Sequence, residues 1–455
     1  MMFPLHPLMK YPSLVLVLLV ALLAAQPLQA QLFQGHFDDP AAADRQLLLS
    51  QARGGGFHAI DSVRVGPTGD FDFQRKFLAT GFYNLALNDS DRVDLILDAH
   101  EPLVYLQFDS LPMDEHLHVR TSDENKRLWE FKYISRETQA VQASVAQQRL
   151  SLSPTDTLAL AQLDQVEERA ERMQEDYLQQ LSQGGASGFF TKALRVDKAI
   201  QEARGQGPMD VANVCDFSDP ELMRSSVYDK AVMYFIQNLN VRDEDQFSAA
   251  ADTLMILSSR NRDCQAYMLD HLIDLFSTYG PESALQHMID RYVVPLGNSA
   301  AIAPELRAKV DALMQVSMGR TAPELELNDR EVITPLSEIV RKNRYTALFF
   351  YSSTCEHCHA QMPTLKIDRS KYLAKGFNVI GLALDVDSVD FLKSIEENTV
   401  PWKCYSEFKG WGARSAMVYL VKATPTFFLL DDKMKIIAKP SDAEELGKVL
   451  KGLYN

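Results

Sequence analysis

The chain has 455 residues, more than one compact core usually holds, so about three or four structural units are expected. Apolar residues make up 46% and charged residues 24%, the proportions of a folded globular protein, which argues against global disorder. The formal net charge of −15 repels the phosphates of nucleic acid, so no nucleic-acid partner is expected.

The N-terminus has the pattern of a secretory signal peptide. Lys10 precedes an uninterrupted apolar run from Leu14 to Ala25, and Ala30 offers a small residue for cleavage. This run is shorter than the roughly 20 residues that cross a hydrocarbon core, although an N-terminal membrane anchor is the alternative. We predict a signal peptide over residues 1–30, no transmembrane segment after its removal, and export from the reducing cytosol.

The next segment, residues 31–120, shows the alternating apolar pattern of short β-strands separated by turns. This pattern predicts an antiparallel, sandwich-like β domain. Alternation up to Val65 and again from Phe71 flanks a Gly- and Pro-containing turn at 66–70. These two stretches are therefore expected to pair as a hairpin.

Helical patterns then dominate up to residue 318. Residues 121–205 are rich in Gln, Ala, Glu, Arg and Leu and predict a helical hairpin region. Residues 206–318 predict a separate α-helical domain, with linker-like glycines before it. The hairpin would serve either as a surface for a partner or second copy, or simply as packing for its neighbouring domains.

The helical segment 206–318 shows no catalytic constellation. His116 and His118 would share one strand face, as metal ligands can, but an exposed strand end is the simpler interpretation. Cys215 and Cys264 lie in helical sequence, where small buried thiols are common; a structural disulfide between them is the alternative. The sequence leaves both choices open.

The last segment, residues 319–455, alternates strand and helix patterns. An apolar strand is expected over Tyr345–Tyr351, a helix over His359–Lys375, and a C-terminal hairpin on either side of the turn 431–433. Alternation of this kind predicts an α/β layer with helices on both faces of a sheet.

Two cysteines with C-x-x-C spacing, Cys355 and Cys358, directly follow the apolar strand. Cys355 would lie at a helix N-terminus, where the helix dipole favours its thiolate, the nucleophilic form. Cys358, one turn later, could then resolve a mixed disulfide, so that a redox-active Cys355–Cys358 disulfide forms. A cationic His357 would favour the thiolate further, whereas Glu356 would oppose it.

The same sequence pattern also fits other kinds of site. Cys355 to His359 also fits the C-x-x-C-H pattern of covalent haem attachment, which would need His359 as an axial ligand. A zinc site would need four ligands, and the sequence has no second C-x-x-C to complete the set. A purely structural disulfide is a further alternative, and Cys404 is either a free thiol or a third redox cysteine. We predict no metal and no cofactor.

The C-terminal segment resembles the extracytoplasmic thioredoxin-like family of TlpA type. The resemblance covers the last third of the chain, and the upstream order of a β domain and helices is loosely similar to redox proteins of Bacteroidetes. It is carried by an entry motif, the strand that leads into the C-x-x-C pair, a helix proline and a Thr-Pro loop: Gly319, Ala322-Pro323, Leu325, Cys355, Cys358, Pro363 and Ala423-Thr424-Pro425-Thr426-Phe427.

The resemblance implies a cis peptide bond between Thr424 and Pro425 in a loop that faces the cysteines and binds an extended substrate segment. Two departures from the family concern proton transfer. Phe349 stands where thioredoxins carry a buried aspartate, and Gln361 stands where many TlpA-type members carry a glutamate. Because an amide cannot shuttle a proton, water or neighbouring side chains must serve Cys358 instead.

The leading hypothesis is an exported thiol–disulfide oxidoreductase that acts on protein disulfides. The implied location is the periplasm or cell envelope of a Gram-negative bacterium, and the implied partners are protein thiols and a membrane or periplasmic redox protein. The competing hypothesis is a non-enzymatic cell-envelope binding or assembly protein that uses the thioredoxin fold as a scaffold. The sequence does not decide whether the chain reduces or oxidises its substrates.

Overall fold

The structure is a computed structural model that describes seven segments of the chain: residues 32–74, 79–153, 155–183, 188–239, 245–297, 303–329 and 332–455. The predicted signal peptide, 1–30, lies outside these residues. The chain divides into two compact units, one up to Asn238 and one from Leu239. That division falls inside the predicted helical domain 206–318, and the predicted domain boundaries stay predictions. Across the described segments, no helix is both long and apolar enough to span a membrane.

The described part of the first unit begins with eight strands in two four-stranded sheets. The strand order is β4-β1-β7-β8 in one sheet and β3-β2-β5-β6 in the other. The strands are β1 (Leu32–Phe37), β2 (Gln46–Arg53), β3 (Gly56–Arg64), β4 (Asp70–Phe73), β5 (Gly81–Ala86), β6 (Arg92–Leu97), β7 (Leu103–Phe108) and β8 (Leu117–Thr121). Their inward side chains form one aromatic-rich core, in which the Phe37 and Phe108 rings stack with centroids 4.6 Å apart.

Two expectations about this β domain are corrected. β1 and β7 pair in parallel, so the first sheet is mixed rather than antiparallel. The predicted hairpin is wrong, because β3 belongs to one sheet whereas β4 pairs with β1 in the other. The turn between them packs on β1: Gly69 has a φ of +94°, its carbonyl accepts a hydrogen bond from Phe37 N, and a Cβ there would lie 2.0 Å from the Phe37 oxygen. The turn therefore carries the chain from one sheet to the other.

Two long helices follow, α1 (Asp123–Arg149) and α2 (Thr157–Gln183). They lie side by side and antiparallel, since Tyr177 near the end of α2 donates its hydroxyl hydrogen bond to the Arg127 carbonyl near the start of α1. The remaining helices in the described residues of this unit are α3 (Phe189–Glu202), α4 (Pro208–Val214), α5 (Pro220–Met223) and α6 (Ser226–Gln237). The middle of the chain is therefore helical, as predicted.

One buried asparagine fastens α1 to the edge of a sheet. Asn125 accepts a hydrogen bond from Ile96 N at 2.8 Å and donates one to Ile96 O at 2.6 Å. Its amide therefore pairs with β6 as a neighbouring strand would. This satisfies two backbone groups that would otherwise be buried without partners.

The described part of the second unit begins with four α-helices, α7 (Asp245–Ser258), α8 (Arg262–Tyr279), α9 (Glu282–Met288) and α10 (Pro304–Gln315). Side-chain ion pairs join these helices to the C-terminal part of the unit. Lys422 Nζ lies 2.7 Å from the carboxylate of Asp274 in α8, and Lys439 Nζ lies 2.6 Å from that of Glu282 in α9.

The C-terminal part is a five-stranded sheet with helices on both faces, as predicted. Its order is β13-β12-β11-β14-β15, and a separate antiparallel pair, β9 and β10, precedes it. The strands are β9 (Glu326–Asp329), β10 (Val332–Pro335), β11 (Tyr345–Tyr351), β12 (Phe377–Ala383), β13 (Lys403–Ser406), β14 (Thr426–Asp431) and β15 (Ile436–Ala438). The helices are α11 (Leu336–Val340), α12 (Glu356–Tyr372), α13 (Ser388–Glu397), α14 (Arg414–Val418) and α15 (Ala443–Tyr454). β14 and β15 form the expected C-terminal hairpin.

The central strand β11 is buried on both faces, and its side chains are apolar or aromatic except for Thr346. Leu348 and Phe350 point into the core that α11 and α14 cover, whereas Phe349 and Tyr351 point into the core under α12 and α15. β11 runs parallel to β12 and antiparallel to β14. The end of β11, where the cysteines follow, is therefore held from both sides.

Candidate redox site

Cys355 lies where the chain leaves the central strand and enters a helix. It is the N-cap residue of α12, with extended backbone angles of −92° and 108°. Its Sγ accepts a hydrogen bond from Cys358 N at 3.3 Å, and its carbonyl accepts bonds from Cys358 N and His359 N, each at 3.1 Å. The half-exposed Cys355 side chain thus lies at a helix N-terminus, where backbone N–H groups and the helix dipole stabilise negative charge.

Cys358 lies one turn further along α12 and has a different environment. Its side chain is 0% exposed and packs into the core on the α12 face of the sheet. Burial raises the pKa of the Cys358 thiol to about 12, and a hydrogen bond with Cys355 contributes to the rise. Hydrogen bonds from the Ser352 backbone and the Thr424 side chain oppose it. Both cysteines are free thiols in the structure, so the predicted disulfide between them stays a prediction.

The Thr-Pro loop lies next to the first cysteine. The Thr424–Pro425 peptide bond is cis, and the Cys355 thiol donates to the Thr424 carbonyl oxygen over 3.7 Å. Thr426, the first residue of β14, ties the loop down by donating its hydroxyl hydrogen bond to the Ala423 carbonyl at 2.7 Å. β11 and β14 are neighbours in the sheet, which brings these two distant parts of the sequence together.

The other residues of the motif face away from the buried cysteine. Glu356 and His357 are exposed in the first turn of α12. His359, the residue that a haem would require as an axial ligand, lies with its Nε2 3.4 Å from the Ser394 hydroxyl in α13. The described segments contain no group of three or more side chains arranged to hold a metal ion.

The two positions that depart from the family have clear structural roles. Phe349 is fully buried and stacks between Tyr351 and Phe427, with ring centroids 5.1 Å and 5.0 Å apart. Gln361 uses its side-chain oxygen to accept a hydrogen bond from Ala443 N at 2.9 Å, at the start of α15. One position therefore supplies apolar packing, and the other a helix cap.

Sequence reasoning missed an acidic residue beside the site. Asp385 follows β12 and is only 5% exposed. Its Oδ1 accepts hydrogen bonds from Ser352 Oγ, Ser353 N and Ser353 Oγ at 3.1, 2.8 and 2.9 Å. The signal was available: parallel strands end at the same edge of a sheet, so an acid directly after the strand next to β11 is expected near the cysteines.

Cys404 lies behind the site in the edge strand β13. Its sulfur is held close to Gly381 in β12, where an added Cβ would meet it at 2.6 Å. Burial raises the pKa of the Cys404 thiol from 9.0 to about 11, and hydrogen bonds with Tyr351 and Trp402 act in the opposite direction. Cys404 is a free thiol, as are Cys215 and Cys264, and those two are buried.

The paired histidines of the β domain do not share a strand. His116 precedes β8, whereas His118 lies within it and contacts Asp109, with Nε2 and Oδ2 2.7 Å apart. A bond to one carboxylate at an exposed strand end accounts for His118 without a metal ion.

Comparisons with known proteins concern the C-terminal region. Residues 318–439 match the model of the AhpC/TSA family. A thiol-disulfide oxidoreductase from Bacteroides fragilis aligns with 29% identity over 30% of this chain and 99% of its own, with a TM-score of 0.28. The thioredoxin domain of a thiol-disulfide oxidoreductase from Bacteroides vulgatus aligns with 24% identity over 30% of this chain and 99% of its own, with a TM-score of 0.29.

A thiol:disulfide interchange protein from Bacteroides sp. aligns with 23% identity over 30% of this chain and 91% of its own, with a TM-score of 0.28. No match was found among curated proteins. The C-terminal region is therefore a thioredoxin-like domain that matches the AhpC/TSA family.

Proposed function

We propose that this chain is an exported thiol–disulfide oxidoreductase of TlpA type that acts on protein disulfides. One observation carries the proposal: the half-exposed Cys355 sulfur lies at a helix N-terminus, within 3.3 Å of Cys358 N and 3.7 Å of the Thr424 carbonyl. An accessible thiol that can attack, beside a second thiol that can resolve the mixed disulfide, suits disulfide exchange.

In the reductive direction, the Cys355 thiolate attacks one sulfur of a substrate disulfide. A bond forms between Cys355 and that sulfur, and the second substrate sulfur leaves as a thiolate that takes up a proton. Cys358 then loses its proton and attacks Cys355, which releases the first substrate sulfur. The substrate gains two electrons and two protons overall, and the protein is left with a Cys355–Cys358 disulfide. The oxidative direction reverses these steps.

The Thr-Pro loop would hold the substrate during the exchange. Thr424 and Pro425 are half-exposed next to Cys355, so an extended segment could lie along the loop with its sulfur at Cys355. The exposed Glu356 and His357 would border the same entrance and tune the Cys355 thiolate through their charges. Because the side chain of Thr424 also interacts with the Cys358 thiol, we assign this residue a role in selectivity.

Thiol reactivity tests the proposal. The full chain is reduced, pulsed with iodoacetamide at neutral pH, and alkylation of each cysteine is followed by mass spectrometry. Cys355 should react much faster than the buried Cys215, Cys264 and Cys358, and Cys355→Ser should abolish reduction of a disulfide substrate such as insulin. Cys358→Ser should instead accumulate a mixed disulfide. Equal, slow alkylation of every thiol would refute the proposed enzymatic activity and favour the alternative of a cell-envelope binding or assembly protein.

The direction of the reaction follows from the potential of the cysteine pair. Equilibration with glutathione buffers gives this value through the fraction of Cys355–Cys358 disulfide. A midpoint near about −270 mV would indicate a reductant like thioredoxin, and one near about −120 mV an oxidant. We further propose that the chain acts in the periplasm or cell envelope of a Gram-negative bacterium, where a membrane or periplasmic redox protein would regenerate it. Fractionation of expressing cells checks the location.

A further inference from the structure

Asp385 is brought to the redox site by the strand order of the sheet. β11 and β12 run in parallel with Tyr351 opposite Ala383, and Leu384 N donates to the Tyr351 carbonyl at 2.8 Å. The two strands therefore end together. The residue after Leu384 lies beside the loop that joins β11 to Cys355, although it is far from that loop in sequence.

Only one of the two oxygens of the Asp385 carboxylate accepts hydrogen bonds from the described residues. Its Oδ1 accepts all three hydrogen bonds from Ser352 and Ser353, whereas its Oδ2 is buried and has no partner among the described residues. A buried carboxylate oxygen without a donor is costly for the fold. The serines fix the orientation of this carboxylate, and one oxygen is left able to accept a proton.

The same small region contains the buried thiol. The Ser352 backbone hydrogen-bonds to the Cys358 thiol while the Ser352 hydroxyl donates to Asp385. The Tyr351 hydroxyl is buried, and the pKa of Tyr351 is raised first by that burial and next by the Cys404 thiol. Asp385 and Cys358 also lie near enough to raise it further. The Asp385 carboxylate, the Tyr351 phenol and the Cys358 thiol are thus buried groups near one another beside the loop.

We propose that Asp385 receives the proton that Cys358 loses when it resolves the mixed disulfide. This inference rests on the proposed function. The Cys358–H bond breaks, the Cys358 sulfur bonds to Cys355, and the bond between Cys355 and the substrate sulfur breaks. The proton passes to the free Asp385 oxygen, across the Tyr351 hydroxyl, and then to solvent or to the departing substrate thiolate.

Asp385 thereby takes the proton-accepting role of the two acidic residues that related proteins carry at the positions of Phe349 and Gln361. Its hydrogen bonds go to Ser352 and Ser353, so it acts through its neighbours and is a positioning residue as well as a proton acceptor. Without it, Cys358 would depend on hydroxide to lose its proton, because a thiol with a raised pKa is almost wholly protonated near neutral pH.

The test uses stopped-flow reaction of the reduced full chain with Ellman's reagent at a series of pH values. Attack by Cys355 releases one coloured thiolate, and resolution by Cys358 releases a second. Cys358→Ser identifies the second phase by its loss. Absence of both phases in the unaltered chain would reject the proposed function itself, whereas the inference about Asp385 concerns only the pH dependence of the second phase.

Asp385→Asn keeps an oxygen for the three hydrogen bonds but cannot accept a proton. We expect its second phase to slow by at least about tenfold near neutral pH, and to rise by about tenfold per pH unit as hydroxide takes over. Asp385→Glu should restore a second phase that changes little over the same range. Asp387→Asn is the matched control, because Asp387 is exposed two residues away and caps α13; its two phases should match those of the unaltered chain.

Three results would overturn the inference. One is a second phase in Asp385→Asn with an unchanged pH profile, even if it is uniformly slower, because a purely structural role lowers the rate without changing its pH dependence. Another is an Asp385→Glu variant as hydroxide-dependent as Asp385→Asn. The third is an Asp387→Asn variant that behaves like Asp385→Asn. The first phase shows that the site of each variant is folded. If Asp385→Asn shows no first phase, the pH dependence of the second phase in Asp385→Glu tests the inference instead.

Discussion

Replacing Phe349 with aspartate, which would restore the acid of thioredoxins at this position, should destabilise the C-terminal region rather than improve it. The Phe349 ring is fully buried and stacks on Tyr351 and Phe427. Removing it in Phe349→Ala should cost about 3–5 kcal/mol of unfolding free energy, since large-to-small changes in a core lose apolar burial and leave a cavity. Aspartate adds the cost of a carboxyl group without a partner.

The additional cost of aspartate over alanine should depend on pH. Burial disfavours the ionised form, so the folded pKa of the new carboxyl would be raised above about 3.9, its value in the unfolded chain. A raised folded pKa means that stability is present below the unfolded pKa and is lost as pH rises. The gap between Phe349→Asp and Phe349→Ala should therefore be small near about pH 4 and reach about 4 kcal/mol at about pH 7.

Urea unfolding of the full chain, followed by tryptophan fluorescence, measures this gap. Two of the three tryptophans, Trp402 and Trp411, lie in the second unit, so the signal is weighted toward the region that contains Phe349. Phe408→Asp is the matched control, because Phe408 is 42% exposed and its new carboxylate stays in water. A gap between the Asp and Ala variants at Phe349 that does not change with pH would refute the reasoning, as would equal stabilities of Phe349→Asp and Phe408→Asp.

Three further predictions concern other buried contacts. Gln361→Leu should lower the unfolding free energy by about 1–3 kcal/mol because Ala443 N loses its acceptor, and Gln361→Glu, which keeps one, should lose less; urea titration compares them. Asn125→Leu should cost about 2–4 kcal/mol, since it strands both backbone groups of Ile96, and an unchanged urea midpoint would contradict this. The pKa of Cys404 is higher in the folded than in the unfolded chain, so the unfolding free energy should fall as pH rises from about 9 to about 11. In Cys404→Ala this fall should be smaller, which urea titration at several pH values measures.

The local features of the redox region were predictable because they depend on neighbours in sequence. Every position of Tyr345–Tyr351 is apolar or β-favouring, and the structure has a strand with these bounds. The helix after it runs from Glu356 to Tyr372, so it begins and ends three residues before the predicted bounds, and Cys355 is its N-cap, as expected for a thiol at a helix N-terminus. The cis bond before Pro425 followed from the resemblance, and the structure contains it.

What the sequence could not determine is which separate elements meet. The same Gly- and Pro-containing turn at 66–70 could close a hairpin or carry the chain between sheets, and only packing of Gly69 against Phe37 selects the second. The sequence marks Asp385 as an acid after a strand, but its position at the cysteines depends on the order in which β12 and β11 pair. Backbone conformation and capping act over a few residues, whereas strand order is set by burial of the whole sheet, so the thiols were visible in the sequence and their proposed proton acceptor was not.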